Sequence, residues 1–176
     1  MTGKLIGIFI VIAALIAGGS LYYLQVYGYY DRISVAQTDG VQLTALATGA
    51  PEPILFENFE AIDSDSSPIR FRACFKTSQS LALISETYVA YDGAEPLVAP
   101  GWFDCFDADE IGDALADGTA LPFLWQENIH YGIDRVAAIF PDGRGFAWHQ
   151  INACGAVVFD GKPVPAGCPP PPERTE

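Results

Sequence analysis

Cys74, Cys105, Cys154 and Cys168 are the residues of this chain best suited to chemistry, and their spacing decides which chemistry. No two form the CxxC pair that thiol redox catalysis and zinc sites favour. An even number of cysteines without such a pair points to structural disulfides in an oxidising compartment. Asp160–Gly161 carries turn chemistry between Val157–Phe159 and Lys162–Val164, which predicts a hairpin setting positions near 154 and 167 opposite each other. That favours Cys154–Cys168 and leaves Cys74 for Cys105. Each bridge constrains the unfolded chain by about 3–4 kcal/mol in the chain-entropy account.

The other reactive groups are sparse. Asp109, Asp113 and Asp117 lie four apart on a predicted helix and share one face, which suits either docking of a basic partner or plain solvation. His130 and His149 are the only histidines, and a metal site needs them to converge with carboxylates or free thiols. With the thiols oxidised, both are read as structural and no metal is expected. His149 follows Trp148 on a predicted strand, so one of the pair should point inward and the other to solvent. Asp63–Ser64–Asp65–Ser66–Ser67 starts like a calcium loop. It places Pro68 where glycine is needed and Cys74 where the bidentate glutamate belongs. The chain has no CxxCH, no glycine-rich phosphate loop and no GxSxG. No catalytic residue and no cofactor is assigned.

The elements that must position these groups begin with an anchor. Residues 5–27, LIGIFIVIAALIAGGSLYYLQVY, are free of charge. Twenty helical residues rise about 30 Å, the thickness of a hydrocarbon core. Ala17–Gly18–Gly19 imitates a signal-peptide cleavage site, but Leu21, Tyr22, Tyr23, Leu24, Val26 and Tyr27 continue the apolar run, so the segment is read as retained. Tyr22, Tyr23, Tyr27, Tyr29 and Tyr30 crowd one end, as an interfacial belt does. Lys4 precedes the span and Arg32 after it is offset by Asp31, which puts the N-terminal end in the cytoplasm and residues 31–176 outside. Ala13/Ala17 and Ala14/Gly18 are small pairs four apart, candidates for close packing with a neighbouring membrane helix.

After the anchor, strands are expected over Val41–Leu46, Ile69–Lys76 and Leu81–Tyr91, with a turn over residues 63–68. Asp107–Gly118 reads as a helix with acidic residues in its first turn and a glycine stop; Asp107 and Glu110 have capping-box spacing. Arg135–Phe140 and Gly145–Ile151 form a hairpin about Pro141–Asp142–Gly143–Arg144. The aromatics Trp102, Phe103, Phe106, Phe123, Trp125, Phe146 and Trp148 are assigned to the core. The expectation is an α+β protein: a transmembrane anchor (1–30), one disulfide-stapled domain with a mostly antiparallel sheet and one or two short helices (31–168), and a proline-rich tail (169–176).

Charge narrows the partners. The part after the anchor holds 22 acidic against 8 basic residues, a net charge of −14. Nucleic-acid binding is excluded by sign, adhesion to anionic headgroups is disfavoured, and a basic protein partner is permitted.

The segments YYLQVYGYY, GWFDCFDADEIGDAL, YGIDRVAAIFPDGRGFAWHQINACG and VFDGKPVPAGCPPPPE together resemble an uncharacterised family of small single-pass proteins from alphaproteobacteria. The resemblance spans most of the chain and implies a Gram-negative inner membrane with a periplasmic domain. It carries over no catalytic residues. The expected role is a non-catalytic interaction protein, an accessory or assembly subunit of an inner-membrane complex, with a respiratory complex or a basic periplasmic protein as partner. The alternative is a periplasmic module that binds or senses a small ligand in an aromatic-lined pocket.

Overall fold

A computed structural model describes residues 2–172. Helix α1 (Thr2–Tyr23) runs into a π-turn (Leu24–Gly28), and together they hold a 26-residue segment, Gly3–Gly28, long and apolar enough to cross a membrane. The side chains of α1 lie exposed along the helix, and the segment meets its own domain at its C-terminal end.

The domain is built on an antiparallel sheet in which β1 (Asp31–Ile33), β4 (Glu57–Asp63), β5 (Arg72–Lys76), β8 (Arg144–Ile151), β7 (Ile133–Ile139) and β6 (Leu121–His130) follow in that spatial order. A small hairpin, β2 (Gln42–Thr44) with β3 (Pro51–Pro53), lies over one face. Across the centre of that face Ala73, Ala147 and Ala137 are in register. Their small side chains leave depth for Phe71, Phe75, Phe123 and Trp125, which pack with Val41, Leu43 and Ile84 from the covering hairpin and α2 (Leu81–Thr87). Phe75 lies opposite Gly145, and a Cβ at Gly145 would overlap its ring.

The second face is buried as well. Ile62, Val136, Phe146 and Trp148 pack under Phe103 and Phe106 from the 92–107 loop and Ile111 and Ala114 of α3 (Ala108–Ala116). This is why the expectation for residues 148–149 fails: Trp148 is 0% and His149 2% exposed, because a sheet covered on both sides offers no solvent face.

The α+β architecture matches the sequence reading, with two local corrections. Leu81–Tyr91 is not a strand. Ser80 caps a helix there by accepting from the Leu83 N–H at 3.2 Å, and Leu81, Ile84 and Tyr88 fall on the core side at helical spacing. In so short an apolar run the two periods compete, and the cap decides. Beyond it, Tyr88 and Ala90 make single bridges to Ala45 and Phe123. The hairpin about Asp160–Gly161 is also absent. Asn152 caps α4 (Ala153–Phe159) through the Gly155 N–H at 2.9 Å, and Gly161, at φ +74°, follows the helix end. The Asp-Gly pair stops a helix here rather than turning a ribbon. In α3, Asp107 accepts from the N–H groups of Asp109 and Glu110 at 3.0 and 3.1 Å, while the Glu110 carboxylate reaches Arg144 at 2.8 Å, so the capping box does not close. The last four residues of the proline-rich tail lie outside the described residues.

Candidate functional site at the junction of helix and domain

Where the apolar helix ends, the domain is bonded to it. At the π-turn the Val26 carbonyl accepts the Trp102 Nε1–H at 2.6 Å. Tyr23 stacks on Tyr27 at 5.9 Å between centroids, Tyr27 on Trp102 at 6.3 Å, and Trp102 meets Phe103 edge-on at 6.3 Å. Phe103 belongs to the core, so a continuous aromatic ladder joins the helix exit to the interior. Trp102 is therefore not a core residue as expected from the sequence; it is half-buried and bridges stalk and domain. Tyr30 closes on Trp102 from the other side at 6.0 Å.

A cleft of about 650 Å³ opens beside this ladder, between Tyr22–Tyr30 of the stalk, the 67–72 segment and the 97–101 loop. Arg70 projects along its wall, with its guanidinium 5.3 Å from the Tyr30 ring centre and one hydrogen bond of 3.4 Å to the Gln25 carbonyl. Arg72 forms the floor. Its guanidinium donates to the carbonyls of Leu97 (2.6 Å), Ile69 (2.9 Å), Phe71 (2.6 Å) and Val98 (3.2 Å), which clamps the 97–98 loop to the sheet. Burial lowers its pKa to about 10, so it remains a cation. Among the described residues neither Arg70 nor Arg72 has a carboxylate within ion-pair distance.

A second polar group lies on the hairpin-covered face. Asp63, Phe71, His149 and Arg135 follow one another across β4, the start of β5, β8 and β7. Arg135 donates from Nε to His149 Nε2 at 3.0 Å, and His149 Nδ1 bonds the Pro68 carbonyl at 2.8 Å, which sets the Nδ1–H tautomer. Phe71 lies against both groups, 4.7 Å from the imidazole and 4.3 Å from the guanidinium carbon. Burial, reinforced by the Arg135 charge, pushes the His149 pKa down to about 3. Burial also lowers Arg135, to about 10, and raises Asp63. With both ring nitrogens engaged, His149 offers no free lone pair for a metal or a proton relay.

Beside this row, Asp134 accepts from Tyr91 Oη (3.1 Å), Asn152 Nδ2 (2.8 Å) and the Asn128 N–H (2.9 Å), tying the irregular end of β6 to α4. Burial and the Asp134 charge drive the Tyr91 pKa up. Among the described residues no group of three His, Cys, Asp or Glu is placed to hold a metal ion.

The remaining residues singled out in the sequence are dispersed. Cys74–Cys105 staples the 92–107 loop to β5, and Cys154–Cys168 staples α4 to the strand-free segment after it. The second pair is set by a helix and its return loop, not by the hairpin that suggested it. Asp109, Asp113 and Asp117 lie exposed on the outer side of α3, and hydrogen bonds from Thr119 lower the Asp117 pKa. Ala13, Ala14, Ala17 and Gly18 lie exposed on α1, with open space beyond Gly18. Nothing local marks Arg70 and Arg72 as junction residues, because their partners come from the stalk and the 97–98 loop.

Helix and domain together define a class: a disulfide-stapled antiparallel α+β domain behind one helix of membrane-spanning length. Residues 41–169 match a family of unknown function (DUF6446), and the chain belongs to that family. The matched region starts after the helix and takes in all four cysteines. No curated protein and no solved structure matches the chain.

Proposed function

We propose that this protein is a non-catalytic, membrane-anchored interaction protein, an accessory or assembly subunit of an inner-membrane complex, plausible partners being a respiratory complex or a basic periplasmic protein. In this reading the helix keeps its N-terminal end in the cytoplasm and carries the domain in the periplasm. Lys4 before the span and the disulfides after it support that orientation.

The observation that carries the reading is the bond between Trp102 and the Val26 carbonyl within the aromatic ladder. A domain tethered by a loose linker samples many orientations; one locked to its own anchor presents a fixed surface at a fixed height above the bilayer. That geometry suits a subunit that must dock beside other membrane helices. A ligand-binding module is the second reading, favoured by the cleft at the same junction.

Mild-detergent purification of the tagged full-length protein tests the first reading with two sets of variants. Asp109, Asp113 and Asp117 changed to Asn should slow capture of a basic partner and leave folding intact, since exposed like charges add little stability. Ala14→Leu with Gly18→Leu should release a partner held through the membrane helix. If neither set loses a co-purifying protein that wild type retains, both docking routes are wrong and ligand binding takes precedence.

A further inference from the structure

We propose that the cleft between stalk and domain receives the phosphodiester of a membrane phospholipid, with Arg70 as its main ligand. The proposal rests on the anchored reading and adds a ligand to it. One wall of the cleft is Tyr22–Tyr30, the end of the 26-residue apolar span, so the cleft lies at the level where headgroups lie.

The chain carries 22 acidic residues, yet among the described residues no acidic side chain lines this cleft, whereas Arg70 and Arg72 do. Arg72 spends its hydrogen bonds on neutral carbonyls, and the Asp63 carboxylate offsets its charge from beyond ion-pair distance. Arg70 makes one long hydrogen bond and rests on the Tyr30 ring, which leaves most of its five N–H donors unassigned. A planar fork with open donors matches phosphate oxygens two at a time. Ser67 adds a hydroxyl to the same wall.

Val98 is 76% exposed at the cleft edge beside Leu97 and Ile69, an apolar rim suited to the first methylenes of an acyl chain. The acidic surface of the domain does not oppose this. Its repulsion is screened over about 8 Å at physiological salt, while a phosphate seated on Arg70 is in direct contact.

The test uses full-length protein in mild detergent, offered phosphatidylglycerol, a diacylglycerol with the same acyl chains, or phosphatidylglycerol with millimolar inorganic phosphate. Bound lipid is counted by native mass spectrometry. Phosphatidylglycerol should be retained and diacylglycerol should not. Arg70→Gln should cut retention about tenfold, the loss of one charge-assisted contact, and Arg70→Lys less. Equal retention of diacylglycerol, or undiminished retention by Arg70→Gln, overturns the proposal. Displacement by inorganic phosphate assigns the site to the free anion and overturns the lipid assignment. Val98→Asp, on the exposed lip, gives a second reading should Arg70→Gln misfold: unchanged retention again refutes. A protein in the soluble fraction without residues 5–27 overturns both this proposal and the anchored reading. A membrane-bound protein whose lipid retention ignores Arg70 overturns this one alone.

Discussion

His149 makes the stability of the domain depend on pH in a way that can be computed beforehand. Its imidazole is neutral, stacked on Phe71, accepts from Arg135 and donates to the Pro68 carbonyl. Burial, then the Arg135 charge, lowers its pKa from 6.5 to about 3. A base whose folded pKa is depressed stabilises the fold fully above its unfolded pKa, and that contribution is lost as pH falls below about 6.5, because only the unfolded chain takes the proton. From pH 8 to pH 5 the loss is about 2 kcal/mol, and by pH 4 about 3 kcal/mol. For a domain of this size about 2 kcal/mol lowers Tm by about 4–8 °C. Asp63 opposes the effect: burial raises its pKa, so it contributes stability in acid that is lost as pH rises. The difference between wild type and His149→Gln isolates the histidine. Glutamine has an acceptor for Arg135 and a donor for Pro68 but does not titrate. Thermal unfolding of full-length protein in micelles at pH 8 and pH 5, followed by tryptophan emission, should show wild type losing about 4–8 °C more than the variant. An identical pH-dependent loss in both proteins would refute the lowered pKa of the buried His149.

Other perturbations follow from the packing. Cys154→Ser with Cys168→Ser opens a loop of 14 residues' separation and should cost about 3 kcal/mol, read as a fall in Tm. Non-reducing peptide mapping of wild type should recover Cys154 with Cys168 and Cys74 with Cys105; a crossed pair contradicts the fold. Gly145→Ala drives a methyl into the Phe75 ring and should destabilise by about 1–3 kcal/mol in urea unfolding, whereas Gly101→Ala, with open space and no left-handed backbone, should cost less. Equal effects would contradict the packing of Phe75 on β8.

The parts legible in the sequence are those with local causes. The apolar helix shows in an uninterrupted run, α3 in its Asp107 cap and Gly118 stop, and the β7–β8 hairpin in Pro141–Asp142–Gly143. Strand β6 was hidden because its pattern is broken: it carries Pro122, a positive φ at Asn128 and two register shifts. Strand β4 has the same defect at Asn58. Helix α2 departs from the strand expected over Leu81–Tyr91 because its apolar positions fit either period. The junction was illegible for a different reason: Trp102 and Val26 are 76 residues apart, and neither residue type states its partner. One of Trp148 and His149 is expected to face solvent because the covering of the second face, where Trp148 packs under the 92–107 loop, has no local signature.

In the proposed function the helix stays attached and carries the domain at a membrane. Intact mass of the protein recovered from washed membranes, without reduction, measures this directly. The expected result is a chain that retains residues 5–27 and carries two disulfides. A mature chain beginning at Ser20 or nearby, recovered from the soluble fraction, would contradict it.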